Sequence, residues 1–229
     1  MSLASNLKIV GLVMVHDNED YIDILLDDLE KYTDEIYVNA NDPTPMVLDA
    51  IHKRSSVKKI IYTSNGDRGW SQGGQRDNAM RMLDDIKPDI VLFPDDDEVY
   101  PKNLKDQLEV FWNDKQKLTF WFRLLYLWGD PYHFRSDGKW KCIHHVRAMK
   151  WQQGITYVPH YAGYACPSNY VTLPRETKFN SNSPTLHYGY MKEADYTRKL
   201  MRKNRIYNDI KEKDDLVKLI LEVPKELLP

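Results

Sequence analysis

Short apolar runs alternate with helix-spaced patterns through the first half of the chain, and that rhythm leaves few architectures open. Ile9 to Val15 is a continuous apolar run of the kind that forms a buried strand. Tyr21, Ile22, Leu25, Leu26, Leu29 and Tyr32 then recur at helical spacing, with Asp17 placed to cap the helix they define. Glu35 to Val38 reads as a second strand, Met46 to His52 as a helix and Val57 to Tyr62 as a third strand. Beyond the glycine-rich stretch SNGDRGWSQGG, a helix is expected from about Gln75 to Ile86, burying Ala79, Met80 and Leu83. Strands separated by helices predict an α/β fold: a mainly parallel sheet with right-handed crossovers and both faces covered.

The fourth strand, Ile90-Val91-Leu92-Phe93, runs straight into four acidic residues, Asp95-Asp96-Asp97-Glu98. The C-terminal ends of parallel strands are where open α/β sheets bind ligands. Several carboxylates crowded there disfavour one another's ionisation unless a cation or a hydrogen-bonded ligand compensates, and a divalent metal is the simplest compensator. Taken alone, an acidic run before a helix opened by Pro101 would read as a solvated capping turn.

After that helix, which is expected to end near Asn113, the pattern changes to aromatic and strand-like segments that continue to His187. The last stretch, from about Glu193 to Leu228, reads as helical and strongly charged, with Pro224 breaking its end. No repeat or linker-like composition divides the chain, so residues 1–229 are expected to form a single domain. At 42% hydrophobic and 29% charged residues the composition is that of a globular protein, and a net charge of −2 gives no overall pull towards nucleic acid or anionic membrane. Cys142 and Cys166 stand apart, outside any metal-knuckle spacing, which points to a reduced compartment. The apolar run near the N-terminus is too short for a signal peptide or membrane span, and a cytoplasmic location is expected.

At this level of detail the chain resembles the nucleotide-sugar glycosyltransferases of the GT-A (Rossmann-like) fold, and most closely the inverting family numbered 2. GLVMVHDNEDYIDILLDDL is similar to that family's first strand, polar turn and helix, with His16 to Glu19 in the turn. EIYVNANDPTP resembles the second strand and its base-holding turn. Ala40 stands where an acidic residue is usual, so Asn41 or Asp42 would substitute. GGQRDNAM resembles the element that brings an Arg and an Asn, here Arg76 and Asn78, to the donor. LFPDDDE is similar to the DxD motif followed by Glu, with Asp95 and Asp97 as the motif carboxylates, and TLHYGYMKEADYTRKLMRKNR resembles the closing segment in which a His, here His187, contacts the metal.

The resemblance implies a donor-binding half at residues 1–100, an acceptor-side half at 101–190 and a C-terminal helical segment at 191–229. It also implies a UDP- or GDP-linked sugar donor, contacted by His16, Asn41, Asp42, Arg76, Asp95 and Asp96. A metal would be held by Asp95, Asp97 and His187. Carboxylate oxygens, diphosphate oxygens and one imidazole suit Mn²⁺ or Mg²⁺ better than zinc, and Mn²⁺ tolerates the imidazole better. Transfer to a hydroxyl acceptor with inversion needs a carboxylate base, for which Asp137 in FRSDGKW is the choice and Asp130 the alternative. Trp121, Trp128, Trp140, Trp151, Tyr161 and Tyr164 either fill the core or line an acceptor cleft. His144-His145 is assigned no metal, because adjacent residues on a strand face opposite ways.

Two other readings stand beside this one. A sugar-phosphate nucleotidyltransferase would commonly carry a glycine-rich, basic loop after the first strand, where this chain has the acidic VHDNED. A nucleic-acid-binding module would use Arg198, Lys199, Arg202, Lys203 and Arg205, and a nucleic acid as acceptor would merge the two functions.

Overall fold

The computed structural model describes residues 7–64, 72–141, 143–152, 157–159, 165–167, 177–192 and 220–228. Its first half alternates as the apolar pattern requires: β1 (Ile9–Val15), α1 (Ile22–Leu29), β2 (Glu35–Asn41), α2 (Pro45–His52), β3 (Val57–Thr63), α3 (Gln72–Arg81) and β4 (Ile90–Leu92). The second half runs β5 (Glu98–Val99), α4 (Leu104–Asn113), β6 (Thr119–Tyr126), β7 (His133–Arg135), a 3₁₀ turn at Gly138–Lys141, β8 (His144–Lys150), β9 (Tyr157–Pro159), β10 (Ala165–Pro167), β11 (Lys178–Asn180), β12 (Thr185–His187) and β13 (Ile220–Glu222).

One large sheet runs in the order β3-β2-β1-β4-β8-β6-β12-β5, with β11 added beside β6. β3, β2, β1 and β4 are parallel, β8 lies antiparallel between β4 and β6, and β12 is parallel to β6. This is the mainly parallel α/β sheet flanked by helices that the sequence predicts. β4 lies in the interior of the sheet, paired on both sides, and Ile90, Val91 and Leu92 are fully buried.

The two faces of the sheet carry separate apolar clusters. Leu25, Leu26 and Leu29 of α1 and Leu104, Leu108 and Phe111 of α4 pack with Phe120 and Phe122 on one face. Ala79, Met80 and Leu83 join Val10, Leu12, Val91 and Met149 on the other. Gly11 in β1 allows this closeness, since a Cβ there would stand 3.3 Å from the Leu29 side chain.

Several expected boundaries move. α1 begins at Ile22 rather than after Asp17, and Tyr21 caps it without a side-chain hydrogen bond. Its first turn is instead anchored by the Asn18 carbonyl, which accepts from the Tyr21 and Ile22 N–H groups. α3 starts at Gln72 and loosens after Arg81 into turns that reach Lys87, whose positive φ of 47° ends them. Pro101 precedes α4 by one turn, its carbonyl accepting from Leu104 N–H at 2.9 Å.

The helix expected to run to Leu228 does not do so in its last part. Ile220–Glu222 is a strand antiparallel to β7 and Lys225–Leu227 a 3₁₀ turn. The Ile-Leu-Glu-Val segment gains ladder hydrogen bonds and buries Val223 beside Phe134, which outweighs its helical pattern. Residues 193–219, including the basic cluster from Arg198 to Arg205, lie outside the described residues, as do Tyr161, Tyr164 and most of the glycine-rich stretch. No described helix is long and apolar enough to cross a membrane.

Candidate active site

The acidic run leaves β4 as a tight turn, closed by Glu98 N–H donating to the Asp95 carbonyl at 3.2 Å. Its four carboxylates have four different surroundings. Asp95 is gripped by two arginines, with Arg76 Nη2 at 2.6 Å from Oδ1 and Arg147 Nη2 at 2.5 Å from Oδ2. Asp96 accepts from the Asn18 side-chain amide in the turn after β1. Asp97 faces His187, with its Oδ1 at 3.5 Å from the ring Nε2. Glu98, fully buried, is held by both Nε and Nη2 of Arg147 and accepts from Asp95 N–H at 3.1 Å.

Local backbone structure explains how Arg147 reaches this turn. Phe120 pairs with Ala148 on β8 but Trp121 pairs with Val146, so Arg147 is the extra residue of a β-bulge. Bulges re-aim side chains and appear beside functional sites. Ala148 pairs with Leu92, the last residue of β4, which sets Arg147 at the exit of that strand. Its carbonyl accepts from Phe93 N–H at 2.9 Å and from the Tyr100 hydroxyl at 2.5 Å.

Pairing of distant strands brings His187 to the same place. β12 lies between β6 and β5, with His187 opposite Tyr126 on one side and Glu98 on the other. Tyr188 N–H donates to the Asp97 carbonyl at 2.8 Å. Gly189 N–H donates to His187 Nδ1 at 3.1 Å, so the neutral ring carries its proton on Nε2, towards Asp97. A cation bound at Nε2 has to displace that proton to Nδ1 and give up the Gly189 hydrogen bond.

The electrostatics follow these contacts. Burial works to raise the Asp95 pKa, but Arg147 and Arg76 more than offset it and hold the group well below the usual carboxylate range. At Glu98 burial prevails over Arg147, and the pKa lies above its ordinary value. Arg147 itself stays charged, because Asp95 and Glu98 outweigh its loss of water. Burial, then the Arg147 charge, push His145 down to about 3, so this ring on β8 is neutral.

On the donor side, His16 Nδ1 lies 2.5 Å from the Asn41 carbonyl. The Asn41 amide donates to Thr63 Oγ1 at 3.1 Å, and Thr63, Asn39 and Gln75 form a buried network beneath it. Asp42, exposed, has a positive φ of 43° and donates its N–H to the Thr63 carbonyl, which are the marks of a turn residue.

On the acceptor side, Tyr126, Trp128, Trp140 and Tyr190 form an aromatic box against the His187 ring. Arg135 lies over both Trp128 and Trp140 at 5.0 Å and binds Asp137 Oδ1 at 2.5 Å. Asp130 is turned to His133 and Tyr132 N–H, and these hydrogen bonds lower its pKa. Trp121 and Trp151 are not part of the box and pack against the apolar cluster beneath α3.

Thus Arg76, Asp95, Asp96, Asp97 and His187 converge at one turn, while His16, Asn41 and Asp42 lie at the ends of β1 and β2, and Asp137 lies across the aromatic box. Among the described residues no three His, Cys, Asp or Glu side chains form a metal-binding group, and both Asp95 oxygens accept from arginines. Sequence reasoning missed Arg147 and the neutral His145. A signal for the former existed: an arginine inside the apolar run Val146 to Met149 must find a carboxylate if that strand is buried.

No protein-family model matches the chain and no curated protein matches it. Among solved structures, residues 1–349 of S. aureus TarS overlap with 22% identity, a TM-score of 0.41 and coverage of 53% of this chain and 36% of that one. Glucosyl-3-phosphoglycerate synthase from Mycobacterium tuberculosis, in complex with Mg²⁺ and UDP, overlaps with 14% identity, a TM-score of 0.40 and coverage of 53% and 44%. This chain therefore spans less than half the length of either. A mycobacterial protein of known crystal structure matches with 13% identity and a TM-score of 0.54 over 86% of this chain and 75% of its own. That likeness is one of fold. With its β3-β2-β1-β4 order and antiparallel β8, the chain has the mainly parallel, helix-flanked α/β sheet implied by its sequence.

Proposed function

We propose that the protein is a nucleotide-sugar glycosyltransferase that moves a sugar from a nucleoside diphosphate to an acceptor hydroxyl with inversion. The observation that carries this reading is the meeting of Asp97 with His187 at 3.5 Å on the turn leaving β4, next to the Arg76–Asp95 pair. An isolated acidic turn has no need of a histidine delivered from a strand some ninety residues on.

A carboxylate and an imidazole on neighbouring strand ends suit Mn²⁺ or Mg²⁺, and Asp97 and His187 would hold it. Such a cation supplies charge neutralisation for the departing diphosphate. Arg76, in the second turn of α3, adds a guanidinium at the same acidic turn. His16 and Asn41 border the base side. The carboxyl group assigned to the acceptor proton is Asp137, which must first loosen from Arg135, because a carboxylate paired with a guanidinium is a weaker base.

A thermal-shift panel of UDP, GDP and their sugar conjugates, with and without Mn²⁺, tests donor and metal together, since a ligand that binds only the native state raises its apparent stability. The expected result is a shift for one nucleotide series that grows with Mn²⁺. No shift with any nucleotide at millimolar concentration would overturn the reading. Asp137→Asn should abolish transfer while sparing that shift, and full turnover in the variant would remove Asp137 from the mechanism.

A further inference from the structure

We infer that Arg147 is a positioning residue for the donor site: from its bulge in β8 it fixes Asp95, and through Asp95 it fixes the guanidinium of Arg76. This rests on the glycosyltransferase reading for its functional consequence, though not for its geometry. The chain of contacts is continuous. Glu98 takes two nitrogens of Arg147, Arg147 Nη2 takes Asp95 Oδ2, and the other oxygen of Asp95 takes Arg76 Nη2 at 2.6 Å. Arg147 is itself buried, its side chain only 6% exposed and its guanidinium taken up by Glu98 and Asp95, so it acts through Asp95 and not on a ligand.

Arg76 sits on α3, shortly after Gly73 and Gly74, and its Nη2 meets Asp95 of the acidic turn at 2.6 Å. A guanidinium gripped at one edge loses much of its rotational freedom before any ligand arrives, which removes an ordering cost from binding. Asp95 in this arrangement is a bridge between two cations. The same guanidinium of Arg147 also anchors Glu98, whose backbone pairs with His187, so one side chain sets both the arginine and the strand that delivers the histidine.

A purely structural Arg147 would stabilise the fold and nothing more. The paired substitution Glu98→Gln with Arg147→Met separates the two cases, because it removes the buried cation together with the carboxylate it neutralises, and the glutamine oxygen still accepts from Asp95 N–H. The full chain carrying both changes should keep a melting temperature close to wild type. In calorimetry with UDP and Mn²⁺ its affinity should nonetheless fall, on the order of tenfold to a hundredfold, as for other supporting residues. Arg147→Lys, which cannot bridge two carboxylates in the same planar fork, should fall between. UDP affinity within about twofold of wild type in the paired variant would overturn the inference.

A second readout needs no ligand. The Arg76 Nη–Hη resonances, held by Asp95, should be resolved with slow guanidinium rotation in the wild type and be broadened or lost in the paired variant. An unchanged Arg76 signal overturns the inference even where UDP binds neither protein, whereas absence of UDP binding to wild type with the Arg76 signal lost in the variant overturns only the donor assignment.

Discussion

Arg147→Met alone should destabilise the protein strongly at neutral pH and much less in acid. The substitution preserves length and apolar packing but leaves Glu98 buried with no cation. Glu98 then takes up a proton, at a cost set by how far the pH lies above its ordinary pKa of 4.5. At about pH 7.5 that is roughly three units, or at most about 4 kcal/mol, because wild-type Glu98, its pKa already raised by burial, bears part of this cost. At about pH 5 it is half a unit, or roughly 0.7 kcal/mol.

The sign agrees with the wild-type groups. Glu98 has a raised folded pKa, so its contribution to stability is greatest below 4.5 and declines as pH rises through the folded value. Asp95 has a lowered one, so its contribution is present above 3.8 and is lost only as pH falls through the folded value, below the working range. Urea denaturation followed by circular dichroism, for wild type and variant at both pH values, checks this. Near pH 7.5 the melting temperature should also drop, by at most about 8–16 °C, at roughly 2–4 °C per kcal/mol for a chain of this size. A loss that is the same at both pH values, or below about 1 kcal/mol at the higher one, would refute the account of Glu98 as an anion dependent on Arg147.

Three further outcomes are expected. Asp97→Ala should abolish transfer while leaving the thermal melt near wild type, since the bond from Tyr188 N–H to the Asp97 backbone carbonyl is kept and removing one of several crowded carboxylates relieves repulsion; full turnover without extra Mn²⁺ would exclude Asp97 from the mechanism. His187→Ala should weaken Mn²⁺ binding roughly tenfold or more and flatten its dependence on pH below about 7, measured by titration of free Mn²⁺, and unchanged affinity would remove the imidazole from the metal site. Asp28→Ala, which takes the acceptor from Tyr100 N–H at 2.7 Å in a buried position, should cost about 1–3 kcal/mol in urea denaturation with donor affinity unaffected.

Periodicity alone was enough to locate β1 to β4, α1 and α3, and with them the acidic turn, because each depends on apolar spacing within a few residues. The strand β4 is apolar throughout since it is buried on both faces, and its carboxylates have to emerge at the end. Local pattern was a poorer guide where partners lie far apart in sequence. Ile220–Glu222 carries a helical pattern but becomes a strand because β7 offers it an edge. Arg147 reads as one residue of an apolar strand, and only the slip in pairing between β6 and β8 turns it towards Asp95 and Glu98. Asp97 and His187 could be named as separate motif residues, but their contact depends on β12 entering between β6 and β5. Apolar periodicity is written residue by residue along the chain, whereas charge neutralisation in a buried turn is a property of whichever strands meet there, and the tertiary structure alone decides which they are.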